Sequence, residues 1–447
     1  MSKTKNNIQP LRPKLELGEL FRNILEYLFV IIIALDTNTI WLSMEGSSLD
    51  KFLNIALIFV VALYFLANNG TGSAKTFHSI IIALVIGAAY WLIYAALVGI
   101  NVNSFMYLVI DTFTIYAFIL IAKDRHRGSG VLLKYRNLVL IVAAISLFFW
   151  TFGSQLGLIQ PTGTVYSSWG AQNYASGYTP VPSYYGVYFE HQSLSGGVFG
   201  GSAEVIRNTA VFGEAPMCNF QMCIALIIEL FYCPKFSKVR TAVFVATILS
   251  TFSTTGYCVG IIALTVKYVF SKNATEVTTV LKIIILPTLF IIAIILLQSL
   301  VSAKLGTSSG EDRSRDFLTG FEAWAHSPLF GYGYGGSLYY NSVHYGFSNS
   351  ITPILGYGGL FLAIPYLVCF YNWIVTCVKE KDLQKFLLFA SFLMLFAITI
   401  VSFRFLTIFL LFAYHFPREG ADTVERVEED QMQASNQRSL KRPRGSK

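Results

Sequence analysis

The chain has 447 residues, 54% of them hydrophobic and 13% charged, with a mean hydropathy of +0.56. A soluble domain carries about 25% charge, so most of this chain must face lipid and an ordinary globular protein is excluded. The formal net charge of +8 does not point to nucleic acid, because the basic residues sit in short connectors between apolar runs, as the positive-inside rule requires.

The apolar runs are long enough to cross a hydrocarbon core of roughly 30 Å as helices, and helices satisfy their own backbone in lipid. In chain order the spans are read at 24–43, 52–68, 79–99, 104–122, 138–153, 215–232, 240–252, 256–271, 279–301, 352–377 and 386–416. The first follows a mostly polar segment, 1–23, with no small-residue cleavage pattern, and is read as a retained span. Arg404 interrupts the last run, which is expected to be two short helices turning near Ser402 to Arg404 or one long span, giving 12 or 11 crossings. A charge at bilayer depth is costly unless paired or at an interface, and the interface is the expected place for Arg404.

Charge asymmetry sets the orientation. Lys3, Lys5, Arg12, Lys14 and Arg22 precede the first span, and Lys123, Arg125, Arg127, Lys134 and Arg136 fill the 123–137 connector. Lys235, Lys238 and Arg240, then Lys379, Lys381 and Lys385, fall on the same side, which is therefore cytoplasmic. No Lys or Arg occurs from Leu138 to Ile206. Two large segments, 154–214 and 302–351, are thus expected to face outward. The chain divides into a cytoplasmic N-terminal segment 1–23, a transmembrane domain 24–416 and a polar tail 417–447 of disordered composition. The six cysteines lie in spans or at their edges, so neither a disulfide framework nor a zinc site is expected.

The first outward segment is rich in Tyr, and its aromatics (Tyr166, Trp169, Tyr184, Tyr188 and others) suit interfacial anchoring and loop packing, with sugar faces as a second use. Glu190 and His191 read as an exposed pair without a surrounding motif. The segment ends in VIRNTAVFGEAPMCNFQ (Val205 to Gln221), where Arg207 is the sole basic residue, and a later span reads ILSTFSTTGYCVG (Ile248 to Gly260). The second outward segment carries Arg313 and Arg315, a helix-like run from Phe317 to Trp324, a Pro-Leu-Phe-Gly-Tyr-Gly turn at Pro328 to Gly333, His344, and a glycine-rich return at Gly356, Gly358 and Gly359. The glycines around Tyr332 follow no strand and precede no Lys-Ser/Thr, so a tight turn is the better reading than a phosphate loop.

Taken together, these motifs over roughly residues 200–375 resemble the O-antigen polymerase and O-antigen ligase superfamily, and most nearly its Wzy-type polymerases. The resemblance implies an all-α polytopic fold of about 11–12 transmembrane helices with two large extracytoplasmic loops, similar to the GT-C-like helical membrane glycosyltransferases. It implies a bacterial cytoplasmic membrane, undecaprenyl-pyrophosphate-linked oligosaccharide as substrate, and a chain-length regulator as partner. Moving a glycan off a lipid pyrophosphate leaves multiple negative charges, and arginine supplies a permanent charge with bidentate donors for them. Arg207 and Arg313 are the expected pyrophosphate ligands, with Arg315 in reserve two residues on. An outward arginine also pairs with lipid headgroups, and that reading stands beside the catalytic one.

His344 is a candidate for substrate orientation or proton transfer. Glu214 is a candidate base, with a structural role placed ahead of it. The outer segments lack an Asp-x-Asp pair or a His/Asp cluster of ligand spacing, so no metal and no cofactor is expected. Two alternatives remain: a ligase transferring a finished glycan, and a flippase or transporter for lipid-linked oligosaccharide. The transporter reading rests on Asp36 and Asp111 within spans, where a carboxylate faces a cavity or a partner.

Overall fold

A computed structural model describes residues 17–98, 102–169, 177–194, 205–233, 235–269, 308–334 and 348–416. The expected span at 279–301, His344, the segment 1–16 and the tail 417–447 lie outside these residues. The protein is mostly helical, and six of the described helices are long and apolar enough to cross a membrane.

The first half of the chain contributes α1 (Leu17–Leu35), α2 (Ile40–Ser43), α3 (Leu49–Ala67), α4 (Ala74–Val98), α5 (Val102–Asp124) and α6 (Gly128–Phe149). The run expected as one span at 24–43 is broken after Leu35. Thr37 and Thr39 donate their hydroxyls back to the carbonyls of Ile33 (2.9 Å) and Leu35 (2.8 Å), and Asn38 takes a left-handed backbone, φ 51°. Short polar side chains that compete for last-turn carbonyls end a helix whatever its hydropathy.

The second half contributes α7 (Ala215–Ile227), α8 (Lys238–Ser250), α9 (Thr254–Val269), α10 (Ser308–His326), α11 (Ile351–Glu380), α12 (Leu383–Ile398) and α13 (Phe405–Phe412). Both α6 and α7 run on into a π-helical turn, at Trp150–Gln155 and Ile228–Tyr232. The last apolar run is indeed two helices, α12 and α13, joined by the link 399–404. At the centre of the bundle stands α7: 94% of its apolar window through Tyr232 is buried, against 11% for α4, which turns its sides to lipid. Small residues suit that centre, and the polar Asn219 and Gln221 are accommodated by partners, Thr251 Oγ1 at 2.7 Å and the Tyr135 hydroxyl.

The basic connectors gather at one end of the bundle. Arg127 reaches Glu19 (2.8 Å) and Glu26 of α1, and Lys134 reaches Glu26 (2.7 Å). Glu229, fully buried at the end of α7, accepts from Arg136, from Arg240 Nε (3.0 Å) and from the Ser237 amide (2.5 Å). Lys123 meets His415, and Lys385 meets Glu380 (2.6 Å) and the Tyr414 carbonyl (3.2 Å). Every connector assigned to the cytoplasm by its charge is therefore at the same end.

At the opposite end the all-helical expectation needs correction, because five short strands between Gly163 and Ile206 form two small sheets among the described residues. Strands β1 (Gly163–Ser167), β2 (Thr179–Tyr184) and β3 (Tyr188–Phe189) make an antiparallel sheet in that order, and β4 (Ser193–Leu194) pairs with β5 (Val205–Ile206). In β2, Pro180 and Pro182 occupy the alternate positions whose amides would point away from β1, so neither interrupts the ladder. The link after α1 is stitched to this unit: Ile40 N donates to Val211 O (2.8 Å), and Thr39 and Met44 bridge Phe212 and Ser167. Tyr184, Tyr188 and Phe189 are buried within the unit while Tyr166 and Tyr185 remain exposed, so loop packing claims the first three and leaves the last two at the surface.

Candidate functional site

Arg207 lies just after β5, where the outer unit meets the break between α8 and α9. That break has a local cause. Ser250 and Thr251 return their hydroxyls to the carbonyls of Thr247 (2.8 Å) and Ile248 (2.7 Å), and Phe252 adopts a left-handed backbone, φ 50°. Carbonyls at the C-terminal end of α8 are thereby left without amides from its own next turn. Arg207 takes them up: Nε donates to Thr251 O at 2.8 Å and Nη2 to Phe252 O at 3.4 Å. A cation at a helix C-terminus also meets the negative end of the helix dipole. Asn208 reinforces the junction, its amide donating to Ser250 O (3.0 Å) and its side chain to Ser250 Oγ (2.9 Å).

Gln192 couples this arginine to the start of α7. Its Oε1 accepts from Arg207 Nη1 (3.4 Å) and from the Ala215 amide (3.0 Å), while its own carbonyl accepts the Arg207 amide (2.9 Å). Glu214 is the residue capping α7, and its carboxylate accepts the Trp169 indole N–H at 2.9 Å. Trp169 in turn offers its carbonyl to His191 Nε2 (3.0 Å). Burial holds the His191 imidazole below its ordinary pKa of 6.5. Glu190 accepts from the hydroxyls of Ser154 and Tyr184, both at 2.6 Å. The expected exposed pair Glu190–His191 is therefore corrected: both residues are half-buried and bonded, because the small sheet folds back over them.

The second motif is organised by backbone alone. Helix α11 is interrupted at Gly359 (φ 55°, ψ −147°), which frees the carbonyls of Gly356 and Tyr357 below the break and the amides of Leu360 and Phe361 above it. The turn after α10 answers all four. Tyr332 N and Gly333 N donate to Gly356 O (2.8 Å) and Tyr357 O (2.9 Å); Leu360 N and Phe361 N donate to Pro328 O (2.8 Å) and Leu329 O (2.9 Å). Glycine is required at Gly331 (φ +62°) and Gly359, where a Cβ would lie 2.5 Å from Gly356 O and from Pro328 O respectively. Tyr94 of α4 closes the join, donating to Tyr357 O (3.0 Å) and accepting from Tyr334 N (2.8 Å). Arg315 is exposed on α10. Arg313 lies on the same helix, with its side chain outside the described residues, as is His344.

A third polar centre was not expected as such. Arg404 does not simply rest at an interface: its Nη1 pairs with Asp36 Oδ1 at 3.4 Å, and Asp36 Oδ2 caps α13 by accepting the Phe405 amide at 2.7 Å. Asn38 donates to Ile400 O (2.7 Å), Ser350 Oγ accepts the Val401 amide (2.9 Å), and Ser402 Oγ donates to Ser350 O (2.8 Å). The link 399–404 is thus satisfied by the links before α2 and α11.

Gln192 therefore joins Arg207 to the Ala215 amide at the start of α7, the carboxylate of the preceding Glu214 is held by Trp169, and Arg315 stands on a separate element. Gln192 and Trp169 carry no sequence signal, being single polar and aromatic residues in a segment rich in both. Asp36 and Arg404 were separately visible as opposite charges in apolar runs, but nothing local joins residues so far apart in the chain. Among the described residues no group of three or more His, Cys, Asp or Glu could hold a metal ion. The chain matches no family model, no curated protein and no solved structure.

Proposed function

We propose that this protein is a membrane glycosyltransferase that joins lipid-linked oligosaccharide repeat units at the outer face of a bacterial cytoplasmic membrane, extending a surface polysaccharide. The observation that carries the reading is Arg207. A permanent cation is fixed in the unit opposite the basic end of the bundle, oriented by the carbonyls of a broken helix and coupled through Gln192 to the start of the most buried helix. The resemblance of its surroundings to polymerase motifs supplies the substrate: carrier lipid linked through pyrophosphate.

In this mechanism the acceptor sugar's hydroxyl oxygen attacks the anomeric carbon of the donor glycan. The bond from that carbon to the pyrophosphate oxygen breaks, and its electron pair leaves with the lipid pyrophosphate. Arg207 and Arg313, with Arg315 as the alternative to Arg313, stabilise that charge through fixed N–H donors. The hydroxyl proton passes to a carboxylate or imidazole, for which Glu214 and His344 are the candidates. Glu214 also holds Trp169, so its loss affects structure as well as chemistry. A chain-length regulator is the expected protein partner.

The test is polymerisation of carrier-linked repeat units by purified protein in lipid nanodiscs. Arg207→Ala and Arg313→Ala are expected to lose polymer, and Arg→Lys to recover it in part, since one charge is kept without the planar fork. A lost charge-assisted contact of roughly 1.5–3 kcal/mol corresponds to about one to two decades in rate. Wild-type chain length from well-expressed Ala variants would overturn the assignment. Loss at Arg315 alone would move the site by two residues. Activity is expected to persist in EDTA; its loss and recovery with magnesium would replace the arginine scheme by a metal-assisted one.

A second reading, a transporter of lipid-linked oligosaccharide, is favoured by the Asp36–Arg404 pair and by Asp111 within the bundle. Deletion of the gene separates the two. A lost polymerase leaves single repeat units accumulating on the outer face, whereas a lost transporter leaves them on the cytoplasmic face.

A further inference from the structure

Among the described residues four carboxylates are buried in the bundle: Glu26, Asp36, Asp111 and Glu229. Three have a cationic partner: Arg127 and Lys134 for Glu26, Arg404 for Asp36, and Arg136 and Arg240 for Glu229. Asp111 differs. It is 6% exposed, and its Oδ1 is covered without a hydrogen-bond donor. The charges acting on it are Asp36 and Asp50, both negative.

The surroundings offer little to offset this. Asp111 lies in the outer half of α5, about 20 Å of helix rise from the cytoplasmic end at Asp124. That helix packs mainly against α3, α4 and α13, and more lightly against α6 and the turn Ala413–His415. The charges of α6, Lys134 and Arg136, pair with Glu26 and Glu229 at the basic end. From α3 come Asp50 and Lys51, both exposed in the first turn. From α4, Tyr90 and Tyr94 donate their hydroxyls to carbonyls of α11, at Phe361 and Tyr357. Helix α13 carries no charge, and Arg404 at its start pairs with Asp36. Tyr334 stands within electrostatic reach of Asp36, Asp111 and Arg404 together, which places the four in one neighbourhood. His415 meets Lys123 at the other end of α5. Asp36 and Arg404 offset one another and Asp50 is exposed to solvent, so Asp111 is the buried carboxylate of this centre that no described cation offsets.

We propose that Asp111 holds a single positive charge, either a proton or an alkali-metal ion, at a site formed between α5 and the Asp36–Arg404 pair. An ionised carboxylate in this setting, with no donor at its buried Oδ1 and with the neighbouring Arg404 already paired to Asp36, is strongly disfavoured, and one added positive charge neutralises it. A divalent ion does not fit: its second charge would have no carboxylate to balance it, and among the described residues no group of three acidic, His or Cys side chains could hold a metal ion. The site is independent of glycosyl transfer and would serve an enzyme or a transporter.

The test uses the full chain, purified in nanodiscs without any glycan substrate, and a lipid-soluble fluorescent carbodiimide. This reagent takes the proton of a carboxylic acid onto its nitrogen while the carboxylate oxygen bonds to its central carbon, so it marks protonated acids in apolar surroundings. Labelled residues are mapped by mass spectrometry at about pH 6 and about pH 9, with and without sodium or potassium. Asp111 is expected to be labelled while Glu26, Asp36 and Glu229 are not, and Asp111→Asn should lose the label. Label that declines with pH and ignores salt identifies the proton; label suppressed by one alkali ion identifies that ion. Melting curves over the same series provide a second measurement, and a pH or salt dependence abolished by Asp111→Asn supports the site even without label. Labelling that survives Asp111→Asn, or no label together with identical melting of wild type and Asp111→Asn throughout, overturns it. Because no glycan is present, the outcome says nothing against the transferase reading, and failure of polymerisation says nothing against this site.

Discussion

The basic end of the bundle and the junction around Arg207 hold their charges in different ways. At the basic end, carboxylates and cations neutralise one another inside the protein: Glu26 with Arg127 and Lys134, Glu229 with Arg136 and Arg240. At the outer end, Arg207 is held by the carbonyls of Thr251 and Phe252, and Asp111 has no donor at its buried oxygen. A charge matched by another charge is a fastener. Main-chain carbonyls fix the orientation of a guanidinium without carrying a net charge themselves. On the function proposed above, the first arrangement serves stability and the second recognition.

The largest effect that would break this division belongs to the basic end. Glu229→Ala leaves Arg136, with its side chain 7% exposed, without its carboxylate. Breaking a buried pair from one side costs about 3–5 kcal/mol. A clear fall in detergent melting temperature and in membrane-inserted yield is expected, with transfer per folded molecule preserved. Unchanged melting would show that these pairs are not fasteners.

Arg207→Ala should show the converse, a drop of one to two decades in polymerisation with a smaller shift in melting than Glu229→Ala. If the two variants melt alike, Arg207 is structural first and the contrast fails.

Next comes Gly359→Ala, which forces a left-handed φ on a residue with a Cβ and pushes that Cβ against Pro328 O. A cost on the order of 1–3 kcal/mol follows from the backbone alone. Melting should report it, and Ala at the neighbouring Leu360, whose role in the turn is its amide, should cost less.

The smallest effect is the pH response of His191. The folded state favours the neutral ring, so this residue's contribution is complete above the unfolded value of 6.5 and declines as pH falls through it, because the unfolded chain then binds more protons. Melting should fall more steeply on acidification for wild type than for His191→Gln. Parallel curves would mean that the ring titrates freely.

Much of this architecture was legible in the sequence because lipid makes hydropathy decisive. The spans at α3 to α7 and the sidedness of the connectors follow from apolar length and from where Lys and Arg fall. The turn near Ser402 to Arg404 was legible too, since one arginine in an apolar run demands an explanation. The break after Leu35 was not, because it depends on where Thr37, Asn38 and Thr39 send their side chains rather than on their polarity. The small sheets escaped for a related reason: strands of two to six residues carry too few alternations to register against a Tyr-, Gly- and Ser-rich background. At the candidate site, the arginine was visible from its isolation, but Gln192, which couples it to α7, was not. Its importance lies in accepting two donors at once, a property of position alone.

The four backbone hydrogen bonds between the Pro328–Gly333 turn and the break in α11 bear on how the protein is made. Two carbonyls and two amides of α11 have no partner within the helix, and entering lipid in that condition would oppose insertion. Their partners lie N-terminal to α11, so the ribosome has already released the turn when the helix emerges. Synthesis in this order lets each half of α11 find its missing contacts on arrival; with the turn moved behind the helix, the same sequence would have to wait for them.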